Sequence, residues 1–376
     1  MKQRILPFIG LSFLILMFIM VLLGCSKEDQ DDPNQPLIDQ MQAVADSIID
    51  YTHVPGMVAL VVDKKKGIDW VYEAGLSNTK QQLPMNRNYT FRIGSCTKTM
   101  VAIVLLQLVA DGKISLDDKL STYHPEYPKS DQITIAMVAT MRSGIFDYTQ
   151  DTEVLPNQLS SNPSKTWTPD ELIHIAFSHD FYFEPGTSFS YSNTNYIILG
   201  KLIEEITGHS LETEIANRIT EPLNLTQTGL LTSGTDLPGD HARGYYDGGY
   251  VPNLDYTEVF SNSLPWAAGS AYSTPRELQR YAESLVGGGL LSDSLQTSHL
   301  NDHFTVFDEK VAYGIGLIRL GTFYGHNGGI PGFTSSMYHS NDKDCTIIIY
   351  FNCALGGIHP DYLFNRFVTI LYGNDY

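Results

Sequence analysis

Ser95 and Lys98 stand three residues apart at the head of a long apolar run that closes at Asp111-Gly112. On a helix that spacing puts both side chains on one face, in contact. A serine hydroxyl is a poor nucleophile until a base takes its proton. A lysine desolvated in a cleft has a lowered pKa and can share that work. The start of a helix adds a free backbone N–H and a positive dipole end, both of which stabilise an oxyanion. The spacing alone is weak. It recurs at Ser77/Lys80 and Ser340/Lys343, in the polar stretches Ser-Asn-Thr-Lys and Ser-Asn-Asp-Lys, and a lone match is commonly an N-cap serine beside a surface lysine. Only Ser95 opens a long apolar helix.

Two further groups can complete such a site. Tyr191-Ser192-Asn193 offers a tyrosine that a neighbouring cation can turn into a general base, and an amide that can accept from Lys98 and donate to a substrate carbonyl. Tyr-x-Asn also occurs at Tyr350 and at Tyr372, so it too is weak by itself. His326-Asn327-Gly328-Gly329 ends an expected strand. Small residues there let a substrate lie against the strand edge, and the N–H of Gly329 is a second oxyanion donor beside that of Ser95. The alternative is an ordinary glycine turn between two strands.

Taken in this order, the three motifs resemble those of the serine β-lactamase and penicillin-binding DD-peptidase superfamily, with particular likeness to the class C β-lactamases and the soluble DD-carboxypeptidases of Streptomyces. The likeness runs from about Gly56 to the C-terminal helix. It includes Phe91-Arg-Ile-Gly-Ser-Cys-Thr-Lys98, Val104-Leu-Leu-Gln-Leu-Val109, Arg142-Ser-Gly-Ile-Phe-Asp-Tyr148, Tyr191-Ser-Asn-Thr-Asn195 and Pro222-Leu-Asn-Leu-Thr226. Trp266-Ala-Ala-Gly-Ser270 and Tyr313-Gly-Ile-Gly-Leu317 also fit.

The resemblance implies acyl transfer without a cofactor or metal. Ser95 attacks a carbonyl, Lys98 and Tyr191 move the proton, and His326 lies near Tyr191 to help relay it. The N–H groups of Ser95 and Gly329 hold the oxyanion, while Asn193, Asn327, Gly328 and Arg319 contact substrate. Three departures bear on this. Met141 stands where histidine is usual. Asn327 and Gly329 replace hydroxyl residues often found in the third motif. The arginine that binds the terminal carboxylate of D-Ala-D-Ala is replaced by Ile318, with Arg319 one position later; successive strand residues face opposite sides, so Arg319 reaches the site only through a bulge or register shift.

The implied activity is that of a serine-type D-alanyl-D-alanine carboxypeptidase or related D-peptidase of the cell envelope, acting on peptidoglycan stem peptides or another small acyl substrate, with β-lactams as acylating ligands. A class C-like β-lactamase or esterase is the alternative on the same fold. A non-catalytic penicillin- or peptidoglycan-binding lipoprotein is the alternative of another class.

The elements that must position these residues are legible in outline. Leu37–Tyr51 has apolar residues at helical spacing. Gly56–Asp63 and Ile68–Leu76 read as a hairpin across Lys64-Lys65-Lys66-Gly67. From Leu116 to about Gly289 helices alternate with long loops. Strand signals return at Ala312–Leu320, Thr322–His326, Phe333–His339 and Cys345–Phe351, and Pro360–Leu371 reads as a closing helix. The expected fold is α/β of the α+β kind: an antiparallel sheet built from both ends of the chain, flanked by N- and C-terminal helices, with a mostly helical lobe inserted. A cleft between two such parts is a common place for an active site.

The 376 residues carry a formal net charge of -18, which argues against a nucleic-acid partner. At the N-terminus Lys2 and Arg4 precede the apolar run Ile5–Gly24, which reads as a secretory signal or, alternatively, an uncleaved membrane anchor. Leu22-Leu23-Gly24-Cys25 resembles a bacterial lipobox, implying cleavage before Cys25 and a lipid anchor on its sulfur. Residues 25–36 are polar and acidic, with Pro33 and Pro36, and read as a disordered tether ahead of a catalytic domain at 37–376. Acidic residues after the cysteine resemble the surface-export signal of Bacteroidetes lipoproteins, pointing to the outer membrane or cell surface, or to its periplasmic side. Cys345 and Cys353, eight apart on one apolar run, lie beyond disulfide reach if extended, and with Cys96 they read as packing residues.

Overall fold

The computed structural model describes residues 32–247, 254–355 and 358–373. The expected signal sequence, Cys25 and most of the expected tether lie outside the described residues. Residues Leu37–Tyr376 make up one unit. No helix among the described residues is long and apolar enough to cross a membrane.

Helix α1 (Gln35–Tyr51) leads into strands β1 (Gly56–Asp63), β2 (Ile68–Asn78) and β3 (Leu83–Pro84). The chain then makes a short helical turn at Gly94–Cys96 and enters α2 (Thr97–Ala110). A long, mostly helical insertion includes α3 (Asn193–Thr207) and α4 (Pro275–Gly287). Strands β4 (Thr305–Val306), β5 (Val311–Tyr313), β6 (Ile318–Leu320), β7 (Phe323–Ile330), β8 (Phe333–Ser340) and β9 (Cys345–Phe351) follow, and α5 (Asp361–Tyr372) closes the chain. The strands form one antiparallel sheet in the order β3-β2-β1-β9-β8-β7-β6-β5-β4, so the two ends of the chain meet at the β1–β9 pair.

Both faces of the sheet are covered. One packs on α1 and α5, the other on α2, α4 and the inserted lobe. Strands β1, β8 and β9 are buried along their whole length. Helix α2 is apolar on every side because it lies between the sheet and the lobe; Thr97–Leu106 and Leu108 are all buried.

Two strand boundaries differ from the sequence reading. The expected strand Ala312–Leu320 is split between β5 and β6. Gly316 takes φ +66° in the intervening turn, and a Cβ there would lie 2.7 Å from Ala102 Cβ and 2.9 Å from the Lys98 carbonyl. The turn is thus shaped by α2 pressing on it. Strand β7, in contrast, runs on past His326 to Ile330. Gly328 allows this: a Cβ there would meet the Ile93 carbonyl at 2.0 Å, so the turn bearing Ser95 lies directly on the strand. Ser335 on β8 ties the same place together, donating to Ile93 O at 2.9 Å. The three described cysteines are buried and free, and Cys96 donates to His326 O across this interface.

Replacing Gly328 with alanine is expected to lower unfolding free energy in urea by about 1–3 kcal/mol, because a backbone carbonyl must move to make room. A variant as stable as the parent would show that the contact is not a constraint.

Candidate active site

Ser95 sits in the helical turn Gly94–Cys96, just ahead of α2 rather than inside it, and Lys98 is the second residue of α2. The side chains still meet, with Lys98 Nζ 3.0 Å from Ser95 Oγ. Lys98 is fully buried. Its amine also donates to Asn193 Oδ1 at 2.8 Å and to the Ala268 carbonyl at 2.7 Å. It lies over the rings of Tyr191 and Tyr196, 4.9 and 5.7 Å from their centroids. Burial pulls its pKa down to about 7, against an opposing pull from Asp147. An amine that titrates near neutrality, in contact with a serine hydroxyl, can serve as a proton acceptor for it.

Asn193 begins α3, where helix geometry brings its side chain to Lys98. Its amide is held at both ends. Oδ1 accepts from Lys98, while Nδ2 donates to Asp147 Oδ2 at 3.0 Å and lies 3.4 Å from Thr149 Oγ1. The Tyr191 oxygen is buried without a hydrogen-bond partner in place. Burial raises its pKa well above the ordinary phenol range, with the Ser95 hydroxyl working against the rise. Burial thus keeps Tyr191 a neutral phenol beside the Ser95 hydroxyl.

The third motif divides between two faces, as a strand must. His326 and Gly328 face the catalytic turn. His326 is buried, and burial with the nearby Lys98 lowers its pKa to about 3. Its Nδ1 donates to its neighbour's carbonyl at Asn327, which leaves Nε2 to accept from Tyr313 Oη at 3.4 Å. His326 lies near Tyr191, as expected, with the two rings 6.1 Å apart but no direct hydrogen bond between them; Tyr313 packs edge-on against both. Asn327 faces the opposite side, where its amide donates to Asp361 at the start of α5. It does not reach the substrate side.

Gly329 lies at an open edge. Strand β6 stops at Ile318, opposite Gly325, so β7 beyond that point has no strand on this side among the described residues. Gly321 N–H bonds to Lys310 O, which fixes the alternation across β5, β6 and β7. Carried along β7, that alternation turns the Gly329 N–H off the open edge, beside Gly94 and the Ser95 turn.

Arg319 is elsewhere. The β5–β6–β7 register is regular, without the bulge that would turn it toward Ser95. Its guanidinium lies 5.7 Å from the Phe304 ring centroid, in a cleft of about 430 Å³ that includes Thr322, Tyr324 and Asn341. Met141, in the place of the usual histidine, is buried against the second motif; its sulfur accepts from Ser192 N at 3.5 Å and Asn195 Nδ2 at 3.4 Å. Asp147, Tyr313 and the Ala268 carbonyl were missed by sequence reasoning. All three lie inside the segments that carry the family likeness, which was the one signal available. Among the described residues no group of His, Cys, Asp and Glu is placed to hold a metal.

Comparison with known proteins identifies the family and the fold. The model of the Beta-lactamase family matches residues 38–361. A D-stereospecific amidohydrolase from Streptomyces sp. superposes with a TM-score of 0.78 at 29% identity, over 90% of this chain and 99% of that one. The D-amino acid amidase from Ochrobactrum anthropi SV3 does so with a TM-score of 0.79 at 27% identity, over 91% and 100%. A D-aminopeptidase of Cereibacter sphaeroides is 25% identical over 324 residues, covering 84% of this chain, and the protein flp of Staphylococcus aureus is 25% identical over 335. The chain spans only 60% and 64% of the lengths of those last two relatives. The matched span and the shared fold make this chain a member of the Beta-lactamase family, a serine hydrolase of the β-lactamase and penicillin-binding protein fold.

Proposed function

We propose that the chain hydrolyses amide bonds of D-configured substrates, as a D-amino acid amidase or D-peptidase, through an acyl-enzyme on Ser95. The observation that carries the reading is the fully buried Lys98 amine, with a pKa near 7, in contact with the Ser95 hydroxyl. In its neutral form the amine has two N–H bonds for two fixed acceptors, Asn193 Oδ1 and Ala268 O. Its lone pair is then left for the proton of Ser95 Oγ. Attack forms the Ser95 ester bond and places negative charge on the carbonyl oxygen, where the N–H groups of Ser95 and Gly329 are available to it. The C–N bond breaks as the proton taken from Ser95 passes to the departing nitrogen, with the neutral Tyr191 hydroxyl as the intermediate carrier. Water then cleaves the ester by the reverse route.

The D-configured amide is supported by the likeness to D-stereospecific amidohydrolases, D-amino acid amidases and a D-aminopeptidase. The narrower reading is a D-alanyl-D-alanine carboxypeptidase acting on peptidoglycan stem peptides. It draws on the motif likeness to DD-peptidases, but it needs a cation for the terminal carboxylate, and Arg319 faces another cleft. β-Lactams remain expected acylating ligands. The lipobox-like ending at Cys25 supports attachment to the envelope by a lipid, at the outer membrane or cell surface.

Intact-mass analysis after incubation with penicillin or a fluorophosphonate is expected to show one adduct, absent from Ser95→Ala; no adduct with either reagent would end the reading. Ammonia release is expected from D-amino acid amides and not from the L-forms, with a diacyl-Lys-D-Ala-D-Ala peptide turned over less efficiently in kcat/KM. Preference for the L-amides would be decisive against it.

The rate of Ser95 labelling by the fluorophosphonate should climb as pH rises through about 7 and then level off, since only the neutral Lys98 accepts a proton. Lys98→Ala should lower the plateau by about 10²–10⁴-fold. Arg319→Ala and Asn327→Ala should leave the ratio of penicillin to fluorophosphonate labelling unchanged; a selective loss of penicillin labelling would put either residue back in the site. Labelled palmitate should be incorporated in a bacterial host by the full chain and not by Cys25→Ser.

A further inference from the structure

We propose that Asp147 is a positioning residue: it holds the Asn193 amide in the orientation Lys98 needs, and it sets the pH range in which Ser95 can be acylated. The inference rests on the reading of Lys98 as the base.

Asp147 lies on the loop after Arg142-Ser-Gly144 and is almost fully buried. Each carboxylate oxygen has work. Oδ2 accepts from Asn193 Nδ2 at 3.0 Å. Oδ1 accepts from Thr149 N at 3.0 Å and Thr149 Oγ1 at 2.9 Å, which caps the turn Tyr148–Gln150. An ionised carboxylate can only accept. It therefore forces the NH2 end of Asn193 toward itself and the carbonyl end toward Lys98. A neutral residue at 147 would let the amide turn over and present two N–H groups to an amine that also donates. Lys98 would then lose one of the two acceptors that fix its lone pair on Ser95.

The second effect is electrostatic. The titratable groups that face Lys98 are Cys96 from the catalytic turn, Tyr191 and Tyr196 from the second motif and α3, His326 from β7, and Asp147 from its loop. Burial keeps all but the last uncharged at neutral pH: the Cys96 thiol is pushed up to about 12, both tyrosines are raised, and His326 is lowered to about 3. Tyr148 and Tyr182, which face Asp147 itself, are also raised by burial. Asp147 makes no ion pair within 4.0 Å with a cationic side chain among the described residues. It is thus the anion whose field reaches Lys98, where it offsets part of the effect of burial. Removing its charge lowers the Lys98 pKa further.

That direction separates the proposal from a merely structural cap. Labelling of Ser95 by a neutral fluorophosphonate would be followed from pH 5 to 9 in the full-length protein. In Asp147→Asn, which keeps the shape and one acceptor oxygen, the acid limb is expected to move to lower pH by about one unit, while the plateau falls as Asn193 loses its orientation. Asp147→Ser keeps a capping oxygen for Thr149 and should move the limb the same way, which protects the test if one variant folds poorly. Asp147→Glu retains the charge and should leave the limb near its parental position. A limb that stays in place or rises in the neutral variants, whatever happens to the plateau, would overturn the role of Asp147 alone. A parental profile that is flat through pH 7 would overturn the reading of Lys98, and this inference with it.

Discussion

The constraint on which the rest of the structure depends is a lysine amine with no access to water. An isolated ammonium moved into a protein interior costs several kcal/mol even after relaxation, so a buried lysine must be paired, neutral, or both. Lys98 is given three oxygen partners, and burial eases the difficulty by letting it lose its proton near pH 7. Those oxygens come from three distant parts of the chain. Ser95 is local, Asn193 starts α3, and Ala268 sits in the short helical segment Trp266–Gly269. The inserted lobe therefore has to dock on α2 for the lysine to be tolerated at all. Assembly of the site and burial of α2 are one event.

The sheet side imposes a complementary constraint. The turn that carries Ser95 lies flat on β7, and only a residue without a side chain fits at Gly328. The central strand β8 is rich in polar residues yet wholly buried, and its serine and threonine hydroxyls find partners rather than solvent. Ser335 bonds to Ile93, Thr334 to the Cys353 carbonyl, and Ser336 to Asp361. Such partners offset the cost of burying polar groups, and they fix the sheet, the catalytic turn and α5 in one register. The Gly329 N–H is aimed by that register and not by any contact of its own.

Much of this was legible in the sequence, and the reasons for success and failure are physical. Ser95 and Lys98 are linked by helical spacing, which short-range geometry transmits faithfully. The antiparallel sheet with helices on both sides followed from strand signals at the two ends of the chain. Alternation from Ile318 gave warning that Arg319 would need a bulge to reach Ser95, and the regular register supplies none, while Asn327 was misassigned because it falls between two site-facing residues on the same strand. His326 was expected beside Tyr191; the two rings lie 6.1 Å apart, but the Nε2 of His326 turns to Tyr313, a partner that packing between β5, β7 and the lobe supplied. The split between β5 and β6 came from α2 pressing on Gly316, a contact between elements more than two hundred positions apart. Asp147 was passed over because a loop aspartate resembles any turn former until its partner, 46 residues away, is in view.

The same reasoning bears on selectivity. In the proposed acyl transfer the nucleophile, the base and the two N–H groups are all carried on elements that the buried core holds in place. Recognition of a terminal carboxylate needs a cation at the open edge of β7, and the guanidinium nearest in sequence is carried off by regular alternation into a different cleft. Tyr191 of the second motif, His326 of the third and Tyr313 of β5, which packs on both, form a set of groups held neutral by burial. A site of that kind discriminates by shape and by amide hydrogen bonding along the strand edge more than by charge. On the proposed function, it suits a departing group that is itself neutral, such as ammonia or an uncharged amine, better than a free amino acid with its carboxylate.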